Sequence, residues 1–401
     1  MSTTKSVEGG FTRRPATVLG AGRQGVCAAY DFARFGGAAA LSLLDAQPAA
    51  LDAARAKLAS LLPGIPIKTI CADGADQAAL TRAMEGSAAA LCALPYRFAP
   101  GAARAAIEAR CSLVDLGGNT EISGQLLALH DAARAAGVAL VPDTGLAPGV
   151  ANTFAAAGID ALEQAEQVRI WCGGLPEQPI PPFGYRLVFS AEGLINEYSG
   201  HAIYARDGKL VDVPTLSEIE PFEFPRVGTL EASPTSGGTS TAPETFRTRV
   251  RSYEYRTLRY PGHFARFRTF KELGLFGEDS IPTSTGGSVR PRDLLIRLLT
   301  PLIDKPAVPD LVVLRVEVIG LRAGQRLRIR YDLFDRQDPV TGFTAMERCT
   351  AHPAAIVAEM CAAGEVQPGA LPLEIGTPHA QFMARLAARR LDLTIREEPI
   401  A

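Results

Sequence analysis

The sequence predicts an α/β protein that begins with a doubly wound parallel sheet and continues into a second, α+β domain with a largely antiparallel sheet. Three observations support this prediction. Short apolar runs alternate with helical patterns between residues 16 and 141, a glycine-rich hexamer follows the first apolar run, and apolar and charged residues alternate with period two later in the chain. Parallel strands buried on both faces are nearly continuous apolar runs, whereas strands with one solvated face alternate.

The N-terminal part alternates strand and helix. We predict strands at residues 16–19, 39–44, 65–71, 88–94, 113–116 and 138–141. Helices are expected between them, at 23–35, 48–62, 77–84, 99–110 and 123–136. Right-handed crossovers through these helices give a doubly wound sheet.

The pattern changes after Gly149. We predict shorter, more polar strands at 168–171, 185–190, 201–204 and 209–213, antiparallel strands at 311–319 and 326–333, and a helix at 354–363. The stretch 233–245 is rich in Ser, Thr, Gly and Pro, and could form a flexible linker inside the second domain. The predicted domains are 12–150, 151–350 and a C-terminal segment, 351–401.

The bulk composition excludes several classes of function. The 401 residues carry a net charge of −2, so no basic excess exists to bind nucleic acid. No apolar run is long enough for a membrane-spanning helix, and the first residues lack a secretory pattern. The seven cysteines form no C-x-x-C pair, so we expect no metal site and no disulfide framework. We therefore expect a cytoplasmic protein without a membrane or nucleic-acid partner.

A phosphate-binding turn is predicted at residues 20–25, which read G-x-G-x-x-G between a strand and a helix. Gly20 permits the tight turn, Gly22 lets the backbone approach a pyrophosphate, and Gly25 lets the helix pack on the strand. The N–H groups that follow, at Arg23 and Gln24, would bind phosphate. Asp45, at the end of the next strand, should bind the ribose hydroxyls and repel a 2′-phosphate, which favours NAD over NADP.

Further candidate cofactor residues lie where later strands end, namely Asp73, Leu94, Pro95, Tyr96 and Gly117. Open α/β sheets bind ligands at this edge. Asp73 lies where an adenine is expected, although it could equally cap the next helix.

Several motifs then resemble the saccharopine dehydrogenase family and, within it, the lysine 6-dehydrogenase branch. They are 142–149 (PDTGLAPG), 172–176 (CGGLP), 183–185 (FGY), 230–232 (LEA), 236–241 (SGGTST), 259–263 (RYPGH) and 290–293 (RPRD). The resemblance covers about residues 16–370. It implies a Rossmann domain, a substrate-binding and dimerisation domain, and a C-terminal segment that returns to the first domain. It also implies a homodimer and NAD-dependent oxidative deamination of the lysine ε-amine, with an aldehyde product that cyclises.

Two departures bear on the substrate. Saccharopine reductases have motifs similar to G-L-D-P-G and Y-P-N-R-D-S. At the matching positions this chain has 145–149 (GLAPG) and 234–239 (PTSGGT). The missing Asp and Arg argue against a dicarboxylated secondary amine. Cys172 points the other way, because it resembles the cysteine of saccharopine reductases, although a buried strand-end residue is the alternative interpretation.

Oxidation of an amine by NAD needs a neutral amine and a base for hydration of the imine. The candidate catalytic residues are Asp143, His263 and Tyr185, and the candidate substrate-binding residues are Arg259, Asn152, Cys172, Gly238 and Thr239. An Arg would bind the substrate carboxylate. Structural roles remain open for each of them.

Three functions remain open at this point. The first is oxidation of lysine or a close ω-amino acid. The second is a saccharopine- or carboxynorspermidine-type reductase, and the third is a non-catalytic nucleotide-binding protein.

Overall fold

The computed structural model describes residues 10–284 and 286–400. The chain divides into two compact units. Unit 1 runs to Ala157 and also takes in Ser240–Ala242 and Glu347–Leu391. Unit 2 comprises Gly158–Thr239, Pro243–Met346 and the chain from Asp392 onward. Within the described ranges, no helix has both the length and the apolar character needed to cross a membrane.

Strands and helices alternate up to residue 160. The strands are β1 (Ala16–Leu19), β2 (Leu41–Asp45), β3 (Ile67–Cys71), β4 (Ala89–Cys92), β5 (Ser112–Asp115) and β6 (Ala139–Val141). The helices are α1 (Arg23–Arg34), α2 (Pro48–Leu61), α3 (Gln77–Met84), α4 (Ala99–Glu108), α5 (Thr120–Leu127), α6 (His130–Ala136) and α7 (Ala151–Asp160).

The middle of the chain is richer in strands. They are β7 (Gln164–Pro176), β8 (His201–Arg206), β9 (Lys209–Pro214), β10 (Glu220–Phe224), β11 (Gly228–Ser233), β12 (Ser252–Arg259), β13 (Ile281–Pro282), β14 (Ser288–Val289), β15 (Asp310–Arg322) and β16 (Gln325–Arg336). The helices among them are α8 (Ala191–Glu197), α9 (Ala242–Phe246), α10 (His263–Glu272) and α11 (Pro291–Ile303). The chain then forms α12 (Ala345–Ala362), β17 (Gly369–Ala370), α13 (Leu373–Gly376), α14 (His379–Ala388) and β18 (Asp392–Pro399).

The sheet of unit 1 is parallel throughout, in the order β17-β6-β5-β4-β1-β2-β3. β1 and β4 are buried along their whole length, because helices cover both faces of the sheet. The strand order reverses between β1 and β4, the switch point at which such sheets bind ligands. The predicted doubly wound sheet is confirmed.

The main sheet of unit 2 is mixed, in the order β10-β11-β12-β7-β15-β16-β18, with β8 and β9 attached at β12. Only β12 and β7 pair in parallel. Along β15 and β16, Glu317 lies opposite Arg330, and its Oε1 accepts the Arg330 Nε–H at 2.8 Å. The predicted antiparallel pairing of these two strands is confirmed. Buried and half-buried residues alternate along β16 from Leu327 to Asp332, as predicted, whereas every residue of β15 from Asp310 to Gly320 except Arg315 is buried.

Three predicted elements differ from the structure. The helix predicted at 123–136 is two helices, and the first begins at Thr120 because Asn119 accepts the N–H of Ile122. The helix predicted at 354–363 begins at Ala345, where the Asp310 carboxylate accepts the N–H groups of Ala345 and Met346. Residues 185–190 form no strand, and the Leu187 N–H donates to Ile303 at the end of α11.

The stretch 233–245 is not a flexible linker. Thr235, Thr239 and Ser240 are buried within it, and the Thr235 hydroxyl bonds the Thr257 hydroxyl on β12 at 2.7 Å. Its Ser, Thr and Gly content therefore reflects tight packing of small side chains.

Candidate functional site

The glycine turn has the geometry that the sequence predicts. Gly20 has φ +106°, a conformation that favours glycine, and a Cβ there would lie 2.8 Å from the Ala93 backbone. A Cβ at Gly25 would lie 1.9 Å from the Gly20 carbonyl oxygen, whereas a Cβ at Gly22 would meet no atom within 4 Å. α1 begins after Gly22 without a side-chain cap, and Arg23 is exposed. Its first N–H groups are therefore available for an anion.

This difference between the two glycines gives a testable prediction. Gly22→Ala should leave the free energy of unfolding within about 1 kcal/mol of the wild type, yet weaken dinucleotide binding at least about tenfold, because the methyl group fills the approach of the pyrophosphate. Gly25→Ala should lower the stability of unit 1, because its methyl group meets backbone. Urea denaturation and calorimetric binding measure the two effects. Equal effects of the two substitutions on stability would contradict these assignments.

Asp45 lies beside this turn. Its Oδ2 accepts the Ala21 N–H at 2.8 Å and its Oδ1 accepts the Gln47 N–H at 2.9 Å. The carboxylate is therefore held in place at the end of β2, half-buried, with its remaining lone pairs free for ribose hydroxyls. Asp73 instead closes a turn through the Ala75 N–H, and the cap of α3 is Asp76.

A solvent-open pocket lies at the carboxyl ends of β4 and β5. Three predicted cofactor residues line it, namely Leu94, Tyr96 and Gly117, and Pro95 precedes the 3₁₀ turn Tyr96–Phe98. Asp115, Asn119 and Ser123 complete its polar wall. In doubly wound sheets this edge, next to the switch point, receives the second half of a dinucleotide.

Asp143 lies next to this wall, inside unit 1. It has φ +64°, is 3% exposed, and its Oδ2 accepts the Ser240 hydroxyl at 2.5 Å. Burial raises its pKa, while the hydroxyls of Ser240 and Ser123 act in the opposite direction. Neighbouring Asp115 has a pKa raised to about 7, first by burial and then by the charge of Asp143. Asp115 is not among the predicted site residues, although it lies within the predicted strand 113–116 and is the last residue of β5.

A buried polar cluster in unit 2 centres on Arg259, the last residue of β12. Its Nε donates to the Tyr198 hydroxyl at 2.9 Å, its Nη1 to the Leu258 carbonyl at 2.9 Å, and its Nη2 to Glu197 Oε2 at 3.2 Å. The guanidinium also lies 5.0 Å from the centre of the Tyr185 ring. Each guanidinium nitrogen thus has a protein acceptor, and the side chain is only 3% exposed.

His263 belongs to the same cluster. Its Nδ1 lies 2.9 Å from the Phe183 carbonyl and its Nε2 lies 2.9 Å from the Tyr198 hydroxyl. Burial, followed by the charge of Arg259, holds its pKa well below the ordinary value, so the ring is neutral. Because a carbonyl only accepts, Nδ1 carries the proton and Nε2 accepts from Tyr198. The hydrogen bonds therefore run in one direction, from Arg259 through Tyr198 to His263.

Glu197 is the member of the cluster that reaches solvent, with 31% of its side chain exposed. Burial raises its pKa to about 7, although the charge of Arg259 lowers it. Because about a third of the side chain is exposed, water stabilises the ionised carboxylate and opposes the rise in pKa that burial causes. The sequence gives no reason to choose Glu197 over Glu192 on the same helix, so this residue was also missed.

The remaining predicted residues are buried. Cys172 pairs with Thr257 and Leu314 inside the sheet of unit 2, and burial raises its pKa to about 12, so it is a thiol. Gly238 packs against the Tyr255 ring, where a Cβ would lie 2.2 Å away. The Tyr185 hydroxyl has no hydrogen-bonding partner within the described ranges. Thr239 and, in unit 1, Asn152 are also buried. In the described part of the chain, no group of three or more His, Cys, Asp or Glu could hold a metal ion.

Two protein-family models match nearly the whole chain. The model described as "Saccharopine dehydrogenase NADP binding domain" matches residues 16–141. The model described as "Saccharopine dehydrogenase C-terminal domain" matches residues 145–391.

Curated relatives and a solved structure agree with these matches. The chain is 29% identical over 152 residues to "Saccharopine dehydrogenase [NADP(+), L-glutamate-forming]" of Saccharomyces cerevisiae, covering 36% of this chain and 33% of that protein. It is 26% identical over 219 residues to "Alpha-aminoadipic semialdehyde synthase, mitochondrial" of Mus musculus, covering 52% of this chain and 23% of that protein. The matches thus span a third or less of both relatives.

The structure of apo saccharopine dehydrogenase (L-Glu forming) from Saccharomyces cerevisiae is similar to this one with a TM-score of 0.76 and 19% identity. The structural match covers 97% of this chain and 100% of the yeast chain. This likeness establishes the fold.

Proposed function

Because this chain belongs to the saccharopine dehydrogenase family, we propose that it is an NAD-dependent dehydrogenase that oxidises the ε-amine of L-lysine or a close ω-amino acid. A hydride leaves the carbon that bears the amine, and water hydrolyses the imine to an aldehyde and ammonium. The balanced reaction consumes the substrate with its ε-amine protonated, one NAD⁺ and one water. It yields the semialdehyde, free ammonium, NADH and one proton, and the semialdehyde then cyclises.

The observation that carries this proposal is the charge of the buried cluster in unit 2. It supplies one cation, Arg259, and one acid, Glu197, and the two already form an ion pair at 3.2 Å. A dicarboxylated substrate would add negative charge that this neutral pair does not balance. A substrate with an ammonium group would instead pair with the Glu197 carboxylate. Of the Arg259–Glu197 ion pair, only Glu197 is partly exposed.

Glu197 has the properties of the required base. A lysine ε-amine is protonated at neutral pH and must lose its proton before the hydride leaves. With a pKa near 7, Glu197 is ionised in part at neutral pH and can accept that proton. It can then take a proton from the water that attacks the imine. Arg259, Tyr198 and His263 act as positioning residues, because their bonds fix the Glu197 carboxylate from the buried side.

The residues of unit 1 fit a dinucleotide. Gly22 leaves open space at an uncapped helix N-terminus, and Asp45 is held beside the turn. The turn residues would hold the pyrophosphate, Asp45 the adenosine ribose, and Leu94, Tyr96 and Gly117 the nicotinamide end. The bound cofactor supplies the hydride acceptor.

Asp45 supports NAD rather than NADP, and its substitution tests this preference. Asp45→Ser should lower the ratio of NAD⁺ to NADP⁺ affinity about tenfold or more, because the ribose loses an acceptor and a 2′-phosphate no longer meets a carboxylate. Calorimetry with both nucleotides measures the ratio. Asp52→Ser on α2 is the control, since Asp52 is exposed and pairs with Arg55. An unchanged ratio in Asp45→Ser would refute the ribose role.

A substrate panel tests the proposal as a whole. We expect NADH absorbance to rise with L-lysine and NAD⁺, with one ammonium released per NADH, and to rise more slowly with ornithine or simple diamines. Saccharopine should give no turnover.

A reductase is the second candidate, because one curated relative is named "Saccharopine dehydrogenase [NADP(+), L-glutamate-forming]" and Cys172 resembles the reductase cysteine. Turnover only in reverse, with NADPH, an amine and an aldehyde, would favour it. Nucleotide binding without any turnover would favour a non-catalytic protein.

A further inference from the structure

Two buried aspartates meet at the carboxyl edge of the unit 1 sheet. Asp115 ends β5, and Asp143 follows β6. Asp115 Oδ1 accepts the N–H of Asp143 at 3.1 Å and the N–H of Gly117 at 2.7 Å. Asp115 is 6% exposed and Asp143 is 3% exposed, so water screens neither charge effectively.

Neither carboxylate forms an ion pair with a cation among the described residues, and the groups around them supply no positive charge. Asp143 Oδ2 accepts the Ser240 hydroxyl. α5 contributes Ser123 and its cap Asn119, both uncharged. Two unneutralised carboxylates this close, in a buried site, retain a proton more strongly than a single exposed one.

The pair also reaches the pocket at the ends of β4 and β5. Asp115 forms part of its wall, together with Leu94, Tyr96 and Gly117. Both backbone N–H bonds to Asp115 go to Oδ1, so Oδ2 is the oxygen without a hydrogen bond within the described ranges. A cation in this pocket would therefore act directly on Asp115.

We propose that the Asp115–Asp143 pair senses the charge of the nicotinamide, keeping a proton when the ring is reduced and neutral and releasing it to solvent when the oxidised, cationic ring binds. The inference rests on the proposed function, because that function places the nicotinamide beside Asp115. The pair would make the enzyme favour NAD⁺ over NADH at alkaline pH and lose that preference at acidic pH.

The titration of the pair fits this role. Burial, followed by the charge of Asp143, raises the pKa of Asp115 to about 7, against the two N–H bonds to its Oδ1. The other titratable groups that face it are Tyr96 in the pocket wall and Cys92, whose own pKa of about 12 keeps it a neutral thiol. Next to Ser240 in sequence, the Thr241 hydroxyl donates to Glu374 at 2.9 Å.

The sign of the effect follows from linkage. A nearby cation favours the ionised carboxylate, so NAD⁺ binding lowers the pKa of Asp115 and expels a proton. The Kd of NAD⁺ should then fall as pH rises toward about 7 and level off above it. A shift of one pKa unit corresponds to a change in Kd of about tenfold, whereas the Kd of NADH should change less than about twofold.

Calorimetric titration of the full chain tests the inference. NAD⁺ and NADH are titrated between about pH 5.5 and 8.5, in buffers with different heats of ionisation, so that the protons released are counted. We expect the wild type to release a large fraction of one proton with NAD⁺ near pH 6.5 and almost none with NADH. Asp115→Asn should abolish the release and flatten the pH dependence. Asp131→Asn, at an exposed position on α6, should behave as the wild type.

The outcomes separate this inference from the proposed function. Equal proton release in the wild type and in Asp115→Asn, or equal release with NAD⁺ and NADH in the wild type, would overturn the charge-sensing role. The second comparison needs no variant and holds even if Asp115→Asn does not fold. Failure of both nucleotides to bind the wild type would contradict the proposed function itself.

Discussion

Glu197→Gln should lower kcat for amine oxidation about a hundredfold or more, the usual contribution of a general base. Glutamine keeps the size of the side chain and an oxygen that can accept from Arg259, but it cannot take a proton. Dinucleotide binding should not change, because Glu197 takes no part in the glycine turn or in the pocket wall at the ends of β4 and β5. The measurement is steady-state NADH formation with L-lysine, alongside calorimetric binding of NAD⁺.

The pH profile distinguishes a catalytic role from a structural one. Because Glu197 must be ionised, kcat/KM of the wild type should rise with pH and level off near its pKa of about 7. The variant should lose this limb. Glu192→Gln is the control, since Glu192 is exposed on the same helix. A variant that keeps both kcat and the ascending limb would exclude Glu197 as the base.

Arg389→Met should destabilise unit 1 by about 3–5 kcal/mol, because the substitution removes the guanidinium that pairs with the buried Asp31 carboxylate. Arg389 Nη2 bonds Asp31 Oδ1 at 2.8 Å and Glu359 Oε2 at 2.7 Å, and the Arg389 and Asp31 side chains are 2% and 1% exposed. His352 approaches the other oxygen of Asp31 at 2.6 Å. These contacts tie α14 and α12 to α1.

Urea denaturation measures this loss of stability, with Arg104→Met as the control because Arg104 is exposed on α4. Burial alone would raise the pKa of Asp31, but the charges and hydrogen bonds of Arg389 and His352 outweigh it and lower the pKa. The ionised Asp31 carboxylate therefore stabilises the wild type fully above the ordinary pKa of an aspartate. This stabilisation is lost as pH falls through the lowered pKa of Asp31. A loss below about 1 kcal/mol would show that the network contributes little.

The parallel sheet could be predicted because its signals are local. Ala16–Leu19 is a short apolar run, and its observed bounds are the predicted ones. The turn at Gly20, Gly22 and Gly25 depends on backbone space that only glycine provides, and this requirement is visible in the hexamer itself. The alternation along β16 likewise indicates which face of that strand is buried.

The parts of the fold and of the candidate site that could not be predicted depend on contacts between distant parts of the chain. Residues 185–190 have a strand-like composition, but their fold is decided by Ile303 and Val308, more than a hundred residues away in sequence. Arg389 meets Asp31 across 358 positions. Glu197 gains its raised pKa from burial beside Arg259, which no local pattern reveals. Ser240–Ala242 similarly belong to unit 1, although the chain on either side of them belongs to unit 2.

Deuterium transfer tests the central claim most directly. L-lysine with both hydrogens at C6 replaced by deuterium is incubated with NAD⁺, and the mass of the reduced nucleotide is measured. The account predicts that each NADH gains one deuterium, together with one ammonium released and a slower initial rate if hydride transfer limits turnover. Reduced nucleotide without deuterium, or deuterium transferred only from lysine labelled at C2, would contradict oxidation at the ε-amine.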